Sequence, residues 1–146
     1  MNSNRLELER ILLGKLINNP ENYYNNHSLL SHSLFENSDH IKLFKLLDKQ
    51  YQDNGKIDLT DFYMSFSNTS IAIEVAQKCT EMAYDGSTCQ SIILVLNQLS
   101  RKKELKMICM QTIDKIDNDE DLFDTVDYIE QNVHKIGSVD NNELFS

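Results

Sequence analysis

The feature that most restricts the fold of this chain is its shortage of turn-forming residues. Its 146 residues include one proline and four glycines, whereas a β-sandwich or barrel needs turn residues between many short strands. Apolar residues recur instead at spacings of three and four, which is the period of one face of an α-helix. A chain of this length fits one domain and can bury about 68–70% of its unfolded surface. The sequence therefore predicts an all-α fold with a core of its own.

The helix-breaking residues divide this pattern into a bundle, a hairpin and a tail. A compact bundle of about five to six helices is expected in residues 1–100, with a second helix from Pro20 to about Leu30. Asn37 or Ser38 is expected to cap the third helix, and Asn54-Gly55 to end it. Asp58 is expected to cap the fourth helix.

Residues 101–137 are predicted to form an antiparallel helical hairpin that continues from the bundle. One long helical pattern runs from about residue 88 to 116, and a short polar turn separates it from a second apolar repeat. That repeat has the spacing of a heptad seam, and it consists of Leu122, Val126, Ile129, Val133 and Ile136. Its expected mate within the chain is the face of Leu105, Cys109, Thr112 and Ile116. Gly137 is expected to end the last helix, which leaves residues 138–146 as a linker or the stub of one.

The heptad seam presents more apolar surface than one partner helix can cover. Phe123 lies beside its first residue and has no evident mate in the chain. A large apolar side chain left in water forgoes about 1.5–3 kcal/mol of burial, and a second hairpin related by a twofold axis would cover it. We therefore predict that the hairpin is a self-association surface, formed by Leu122, Phe123, Val126, Ile129 and Val133.

The charge of the chain argues against a nucleic-acid-binding domain. The formal net charge is −9, whereas non-specific DNA affinity comes from lysine and arginine on phosphates. The main basic cluster is Arg101, Lys102, Lys103 and Lys106. It is either a solvated helix face or a strip that faces a partner, and any DNA binding is expected to be weak and to use these residues.

No catalytic, cofactor-binding or metal-binding residues are expected. The sequence contains no GxxxxGK[ST] phosphate loop, no GxGxxG, no HExxH and no GxSxG motif. The acidic run that starts at Asp117 lacks the glycine of an EF-hand loop. The three cysteines form no CxxC pair and are expected to be buried free thiols in a reducing cytoplasm. No signal region or membrane-spanning apolar run is present.

One residue of the first helix is unexpected. Gly14 interrupts the apolar stripe of LELERILLGKLINNPE, residues 6–21, at a cost of roughly 1 kcal/mol against alanine. A residue without a Cβ lets a neighbouring segment approach closely. We therefore expect Gly14 to be a close-packing position.

This opening stretch resembles the start of DnaB-type bacterial replicative DNA helicases, in which a Leu-Gly pair precedes an apolar run and a polar turn. Residues 31–62, SHSLFENSDHIKLFKLLDKQYQDNGKIDLTDF, resemble the next block of that family. The matching positions include Phe35, His40, Phe44 and the run Gly55 to Leu59. The resemblance extends over about residues 6–137. Two departures are Lys15, where a small or apolar residue is commoner, and the absence of a proline from residues 83–88.

The resemblance implies a function in DNA replication, in the bacterial cytoplasm or nucleoid. It implies a non-catalytic N-terminal domain that pairs through its hairpins, with three pairs forming a collar on the hexameric helicase. It also implies that this collar docks primase in the primosome, with a helicase loader as a further candidate partner. The ATPase motor, with ATP and Mg²⁺, would follow these residues, so the chain is expected to be a piece of a longer helicase or a naturally separated domain.

Two alternatives to the helicase interpretation remain open from the sequence. The helicase-binding domain of a primase resembles the same helical fold. A standalone adaptor that interacts with a helicase, encoded for example by a phage, is the other alternative.

Overall fold

The computed structural model describes residues 3–69, 71 and 73–144, and within these it describes only the backbone of Ser3, Asn68 and residues 138–144. Seven α-helices occupy this part of the chain, and it contains no β-strand. They are α1 (Ser3–Asn18), α2 (Glu21–Asn26), α3 (Ser38–Asn54), α4 (Leu59–Met64), α5 (Ile73–Glu81), α6 (Cys89–Asp117) and α7 (Leu122–Leu144). Short 3₁₀ turns lie at His32–Leu34 and Ser65–Asn68. The prediction of an all-α fold is confirmed.

The chain divides into two compact units, residues 1–96 and 97–146. The first, which we call the bundle, holds α1 to α5 and the start of α6. The second, which we call the hairpin unit, holds the rest of α6 together with α7. The division falls inside α6, between Leu96 and Asn97. The sequence predicts the end of the bundle at about residue 100.

The predicted caps of α3 and α4 are confirmed. The Asn37 side-chain oxygen accepts hydrogen bonds from the backbone amides of Asp39 (2.9 Å) and His40 (3.1 Å). Gly55 ends α3 with a left-handed backbone, φ 74°, and donates its amide to the Tyr51 carbonyl (2.8 Å). Asp58 accepts from the Asp61 amide (3.1 Å) at the start of α4. Local sequence signals therefore determine where these two helices begin and end.

Two predicted helix ends are wrong. The second helix stops at Asn26 rather than Leu30, because residues 27–30 form tight turns in which the Leu29 amide bonds the Asn26 carbonyl (2.9 Å). At the other end of the chain α7 continues past Gly137 to Leu144. Gly137 does not adopt the positive φ of a helix-ending glycine. Residues 138–144 are thus helical, and 145 and 146 lie outside the described residues.

Helix α1 is the central element of the bundle. Four of its apolar residues, Leu12, Leu13, Leu16 and Ile17, are almost completely buried. Helix α1 packs most extensively on α5 and also contacts α2 and α3, and α4 and the start of α6 carry further buried residues. The buried residues of those elements include Leu43, Phe44, Leu47, Phe62, Ala76, Cys79, Ile92, Ile93 and Leu96. The bundle therefore has a continuous apolar core.

Gly14 lies against the backbone of α5. A Cβ added to Gly14 would lie 2.0 Å from the carbonyl oxygen of Cys79 and 3.1 Å from the Cβ of Ala83. The first distance is far inside van der Waals contact, and a backbone carbonyl cannot move aside as a flexible side chain would. Only glycine fits α1 at this position, which accounts for its presence in spite of its poor helix propensity.

Lys15, which departs from the family pattern, makes a second connection beyond the end of α5. Its Nζ donates to the carbonyl oxygens of Ala83 (3.0 Å) and Asp85 (2.6 Å). Carbonyls past a helix C-terminus lack intrahelical donors, and an ammonium group satisfies them well. Gly14 and Lys15 thus make adjacent contacts from α1 to the end of α5 and the turn that follows.

A buried carboxylate connects α1 to the start of α3. Glu9 is fully buried, and its Oε1 accepts from His40 Nδ1 (2.8 Å) and from the Asn37 amide (3.3 Å). Its Oε2 accepts from Arg5 Nε (3.1 Å) and from the Glu36 amide (2.9 Å). Four donors therefore satisfy one carboxylate, as burial of a charge requires.

The same contacts set the charge state of Glu9. Burial raises the pKa of this carboxyl, but the hydrogen bonds from His40 and the two backbone amides outweigh that effect. The pKa is lowered from its ordinary value of 4.5. Glu9 is consequently ionised at neutral pH, and the Arg5 guanidinium beside it also donates to the Leu34 carbonyl (3.1 Å).

Candidate protein-interaction surface

Polar contacts join the two helices of the hairpin unit. The Tyr128 hydroxyl donates to the Gln111 side chain, and Lys115 Nζ lies 4.8 Å from the centre of the Tyr128 ring. Lys115 also pairs with Glu120 (3.5 Å). These contacts join residues of α6 to the turn and to α7 in the antiparallel order that the sequence predicts.

The turn between α6 and α7 is built from acidic residues. Asp119 has a left-handed backbone, φ 55°, which aspartate tolerates better than most residues. Asp121 caps α7 by accepting from the amides of Phe123 (2.9 Å) and Asp124 (3.2 Å). Phe123 is thereby fixed in the first turn of α7, at the tip of the hairpin.

The described side chains of the hairpin unit form almost no apolar core. Ile108, which is 8% exposed, is its only buried large apolar side chain among the described residues. Thr125 is buried on α7, and its hydroxyl donates to the Asp121 carbonyl (3.0 Å). This arrangement contradicts the expected inner face of α6, because Leu105, Cys109 and Ile116 are exposed. The prediction failed because α6 carries apolar residues on more than one side, and periodicity alone does not select the side that faces α7.

The predicted self-association residues lie at the surface of the chain. Leu122 is 68% exposed and Phe123 is 76% exposed. Val126 and Val133 are exposed as well, whereas Ile129 is half-buried. The apolar seam of α7 is thus largely open to solvent.

The apolar stripes of the two helices lie on the same side of the hairpin. The buried residues Ile108 on α6 and Thr125 on α7 mark the sides by which the two helices face each other. At 100° per residue, the apolar stripe of each helix lies about a quarter turn around the helix axis from that buried residue, in the same rotational sense. Because the two helices run antiparallel, these equal rotations place both stripes on one side of the hairpin. We call this surface the hairpin face, and it consists of Leu105, Cys109, Ile113, Ile116, Leu122, Phe123, Val126 and Val133.

The predicted basic strip lies at the other end of the hairpin from the turn. Arg101 Nη1 donates to both carboxylate oxygens of Glu104, with both distances 3.1 Å. Lys102, Lys103 and Lys106 are exposed. An apolar groove of about 240 Å³ lies among these residues, and it is lined by Gln98, Arg101, Lys102, Leu105 and Ile136.

The rest of the described chain offers no alternative site with evident chemistry. No group of three or more histidine, cysteine, aspartate or glutamate side chains in residues 3–69, 71 and 73–144 could hold a metal ion. Burial raises the pKa of the Cys79 thiol to about 12, so this thiol is un-ionised and inert at neutral pH. Within the same residues, no helix combines the length and hydrophobicity needed to cross a bilayer. Among the described residues, the hairpin face gathers half of the exposed large apolar side chains.

Sequence reasoning missed the Glu9 network altogether. Arg5 and Glu9 are four residues apart on a helix, a spacing that is typical of a solvent-exposed ion pair. Nothing in the sequence near His40 points to α1, and the structure places its ring in contact with Glu9. One sequence feature could have indicated that Glu9 is buried. It is a charged residue among apolar ones, between Leu8 and the run of Ile11 to Leu13.

Comparison with known proteins agrees with the resemblance of the opening stretch. No curated protein matches the sequence significantly. The model of the DnaB-like helicase N-terminal domain matches residues 1–83, a segment that includes the Gly14 contact and the Glu9 network. Since that match covers more than half of the 146 residues, the chain belongs to the DnaB-like helicase N-terminal domain family.

Proposed function

We propose that this chain is the non-catalytic collar domain of a hexameric replicative DNA helicase of bacterial cytoplasm. Two copies pair through their hairpins, three pairs form the ring, and the ring docks primase and, as a further partner, a helicase loader. Family membership supports the helicase assignment. The hairpin lies beyond the matched residues, and its exposed apolar surface supports the pairing role.

The observation that carries the pairing proposal is the open hairpin face. Ile113 is 56% exposed and Ile116 is 59% exposed, and the α7 residues described above add to the same side. Burying a large apolar side chain stabilises by about 1.5–3 kcal/mol. Monomeric proteins rarely expose so many apolar side chains in one patch. A second hairpin presents the same chemistry and would cover them.

Sedimentation analysis of the purified chain tests the pairing. We expect a concentration-dependent dimer that Phe123→Asp weakens, because an aspartate in a paired hairpin face would be buried without a partner. Tyr84→Asp is the matched control, since Tyr84 is 87% exposed on the bundle. A chain that stays monomeric at high micromolar concentration, or that loses its dimer equally with either variant, would show that the hairpin does not pair.

The non-catalytic part of the proposal predicts no ATP hydrolysis and no DNA unwinding by these residues. The net charge of −9 also predicts weak binding to single- or double-stranded DNA. Tight DNA binding at physiological salt that is lost when Arg101, Lys102, Lys103 and Lys106 are reversed would contradict a docking-only domain. A pull-down with primase would test the docking itself.

A further inference from the structure

The last residue of α3 is an asparagine followed by a glycine, and both residues are exposed. Gly55 follows Asn54 with φ 74° and ψ 1°. A Cβ added to Gly55 would meet no atom within 4 Å, so the space around this peptide bond is open to water. Within the residues that the structure describes, the Asn54 side chain makes no hydrogen bond. This side chain can therefore turn toward the backbone that follows it.

The asparagine at the other end of α3 is held in place. Asn37 also precedes a small residue, Ser38, but its side-chain oxygen accepts from the amides of Asp39 and His40. These two bonds fix the orientation of the Asn37 side chain at the start of the helix. The two ends of one helix thus carry a fixed asparagine and an unfixed one.

A second exposed asparagine precedes a left-handed residue in the hairpin unit. Asn118 is followed by Asp119, whose φ is 55°. The Asp119 side chain obstructs approach to its own backbone nitrogen, and its negative charge disfavours loss of the amide proton. Glycine has neither a Cβ nor a charge. Exposure and backbone conformation are similar at the two positions, so the glycine after Asn54 is the main difference between them.

We propose that Asn54 is a site of spontaneous deamidation, in which the Gly55 backbone nitrogen is the nucleophile. That nitrogen loses its proton to a base in solution and bonds to Cγ of Asn54, and the side-chain nitrogen takes up a proton and leaves as ammonia. The product is a five-membered succinimide ring. Water then adds to one of the two ring carbonyl carbons and opens the ring. The sum of these steps exchanges an amide for a carboxylate and consumes one water molecule, with no change in oxidation state.

One backbone hydrogen bond restrains this reaction in the folded chain. The Gly55 amide donates to the Tyr51 carbonyl at 2.8 Å, and its nitrogen can attack only when this bond opens. The ends of helices open locally without unfolding of the whole protein. Because one hydrogen bond contributes little net stability, the folded chain should react about two- to tenfold more slowly than the unfolded chain.

Opening of the ring gives two products, which change the end of α3 differently. Aspartate keeps the backbone but places a carboxylate at the helix C-terminus, where the helix dipole disfavours negative charge. Isoaspartate routes the backbone through the former side chain and so adds one methylene group before Gly55. The added group displaces the Gly55 amide from the Tyr51 carbonyl. Both products therefore weaken the end of α3, and isoaspartate weakens it more.

The segment after Gly55 extends this effect toward α4, because it is bonded to the rest of the bundle. The buried Ile57 donates its amide to the Tyr24 hydroxyl at 2.7 Å. Gln50 Nε2 donates to the Asp58 carbonyl at 3.1 Å. Both bonds depend on the length of chain between α3 and α4, which isoaspartate changes.

Peptide mass spectrometry of the full chain tests the site. Trypsin releases residues 50–56, QYQDNGK, because Lys49 and Lys56 flank the site. After incubation at physiological temperature and mildly alkaline pH, we expect this peptide to exchange NH2 for OH and to elute as two isomers. Asn54→Gln should abolish the exchange, because glutamine would have to form a less favourable six-membered ring. Asn118→Gln is the matched control and should leave the rate at Asn54 unchanged.

The chain unfolded in urea supplies the reference rate. There the same peptide should react about two- to tenfold faster than in the folded chain. An unreacted Asn54 in the folded chain, after a time in which the unfolded chain has reacted completely, would overturn the proposal. Equal rates at Asn54 and Asn118 in the folded chain would also overturn it, because Gly55 would then have no special part.

Thermal melting of the separated products measures the consequence for the bundle. Ion exchange separates the deamidated chain by its added negative charge. Asn54→Asp reproduces the aspartate product and should lower Tm by about 1–5 °C, and the isoaspartate product should lower Tm further. If both products melt with the unmodified chain, deamidation does not weaken the end of α3 and this part of the proposal is wrong.

Discussion

The bundle and the hairpin unit bury their apolar side chains to very different extents. In the bundle, the apolar stripe of α1 is buried, and even a buried carboxylate on this helix has four donors. In the hairpin unit, one large apolar side chain is buried among those that the structure describes, and all eight residues of the hairpin face are exposed. The contrast indicates that the bundle is stabilised by contacts within the chain, whereas the hairpin unit leaves most of its described apolar surface in contact with solvent.

The contrast predicts its largest difference in stability between the loss of a buried carboxylate and the loss of an exposed one. Glu9→Ala removes the buried carboxylate that Arg5 and His40 share and should lower the free energy of unfolding by about 3–5 kcal/mol, as removal of one partner from a buried ion pair does. Glu120→Ala breaks the exposed pair with Lys115 and should cost under about 1 kcal/mol. Urea denaturation measures both. Similar losses in the two variants would erase the distinction between the units.

The next largest effect is expected at Gly14. Gly14→Ala places a Cβ against the Cys79 carbonyl and should destabilise the bundle by about 1–3 kcal/mol through overpacking. Gly14→Leu should cost at least as much. The gain in helix propensity is roughly 1 kcal/mol and is too small to offset the clash. A higher melting temperature for Gly14→Ala would mean that α1 and α5 are not in contact at this position.

Acid should weaken the bundle through Glu9. Because the pKa of Glu9 is lowered on folding, the stabilisation is fully present above its ordinary value near 4.5 and is lost as pH falls through the lowered pKa. The glutamine of the Glu9→Gln variant cannot titrate. Below about pH 5, the unfolding free energy of this variant should therefore fall less steeply with pH than that of the unmodified chain. Equal slopes in urea titrations at several acid pH values would remove Glu9 as the cause.

The smallest effect is expected at Gly137, the counterpart of Gly14 in the hairpin unit. A Cβ at Gly137 would meet no atom within 4 Å, and the residue lies inside α7. Gly137→Ala should therefore stabilise α7 by roughly 0.5–1 kcal/mol. Slower amide hydrogen exchange around residue 137 would show it. A loss of protection there would mean that the glycine is needed for contacts that only the assembled protein makes.

The features that could be predicted from the sequence are those that depend on neighbours in the chain. The caps at Asn37 and Asp58 and the end of α3 at Gly55 follow from side-chain and backbone chemistry within a few residues. The all-α fold follows from apolar periodicity. The apolar character of residues 122–133 is equally visible in the sequence.

The features that could not be predicted depend on which segment lies opposite. Nothing local distinguishes Ile108 from Leu105 as the buried residue of α6, because both occupy apolar positions of the same helix. Glu9 looks like a surface residue until the connector before α3 is folded against it. The sequence marked Gly14 as unusual, but the Cys79 carbonyl that explains it is more than sixty positions away.

The Glu9 network also determines how a loop of this protein exchanges hydrogen with solvent. The amides of Glu36 and Asn37 belong to a connector outside any helix, yet both donate to a fully buried carboxylate on α1. Such amides exchange only when α1 separates from the connector, so their protection should match that of the core helices rather than that of a loop. Deuterium uptake at these two amides would therefore report the opening of the whole bundle from a position where exchange is ordinarily fast.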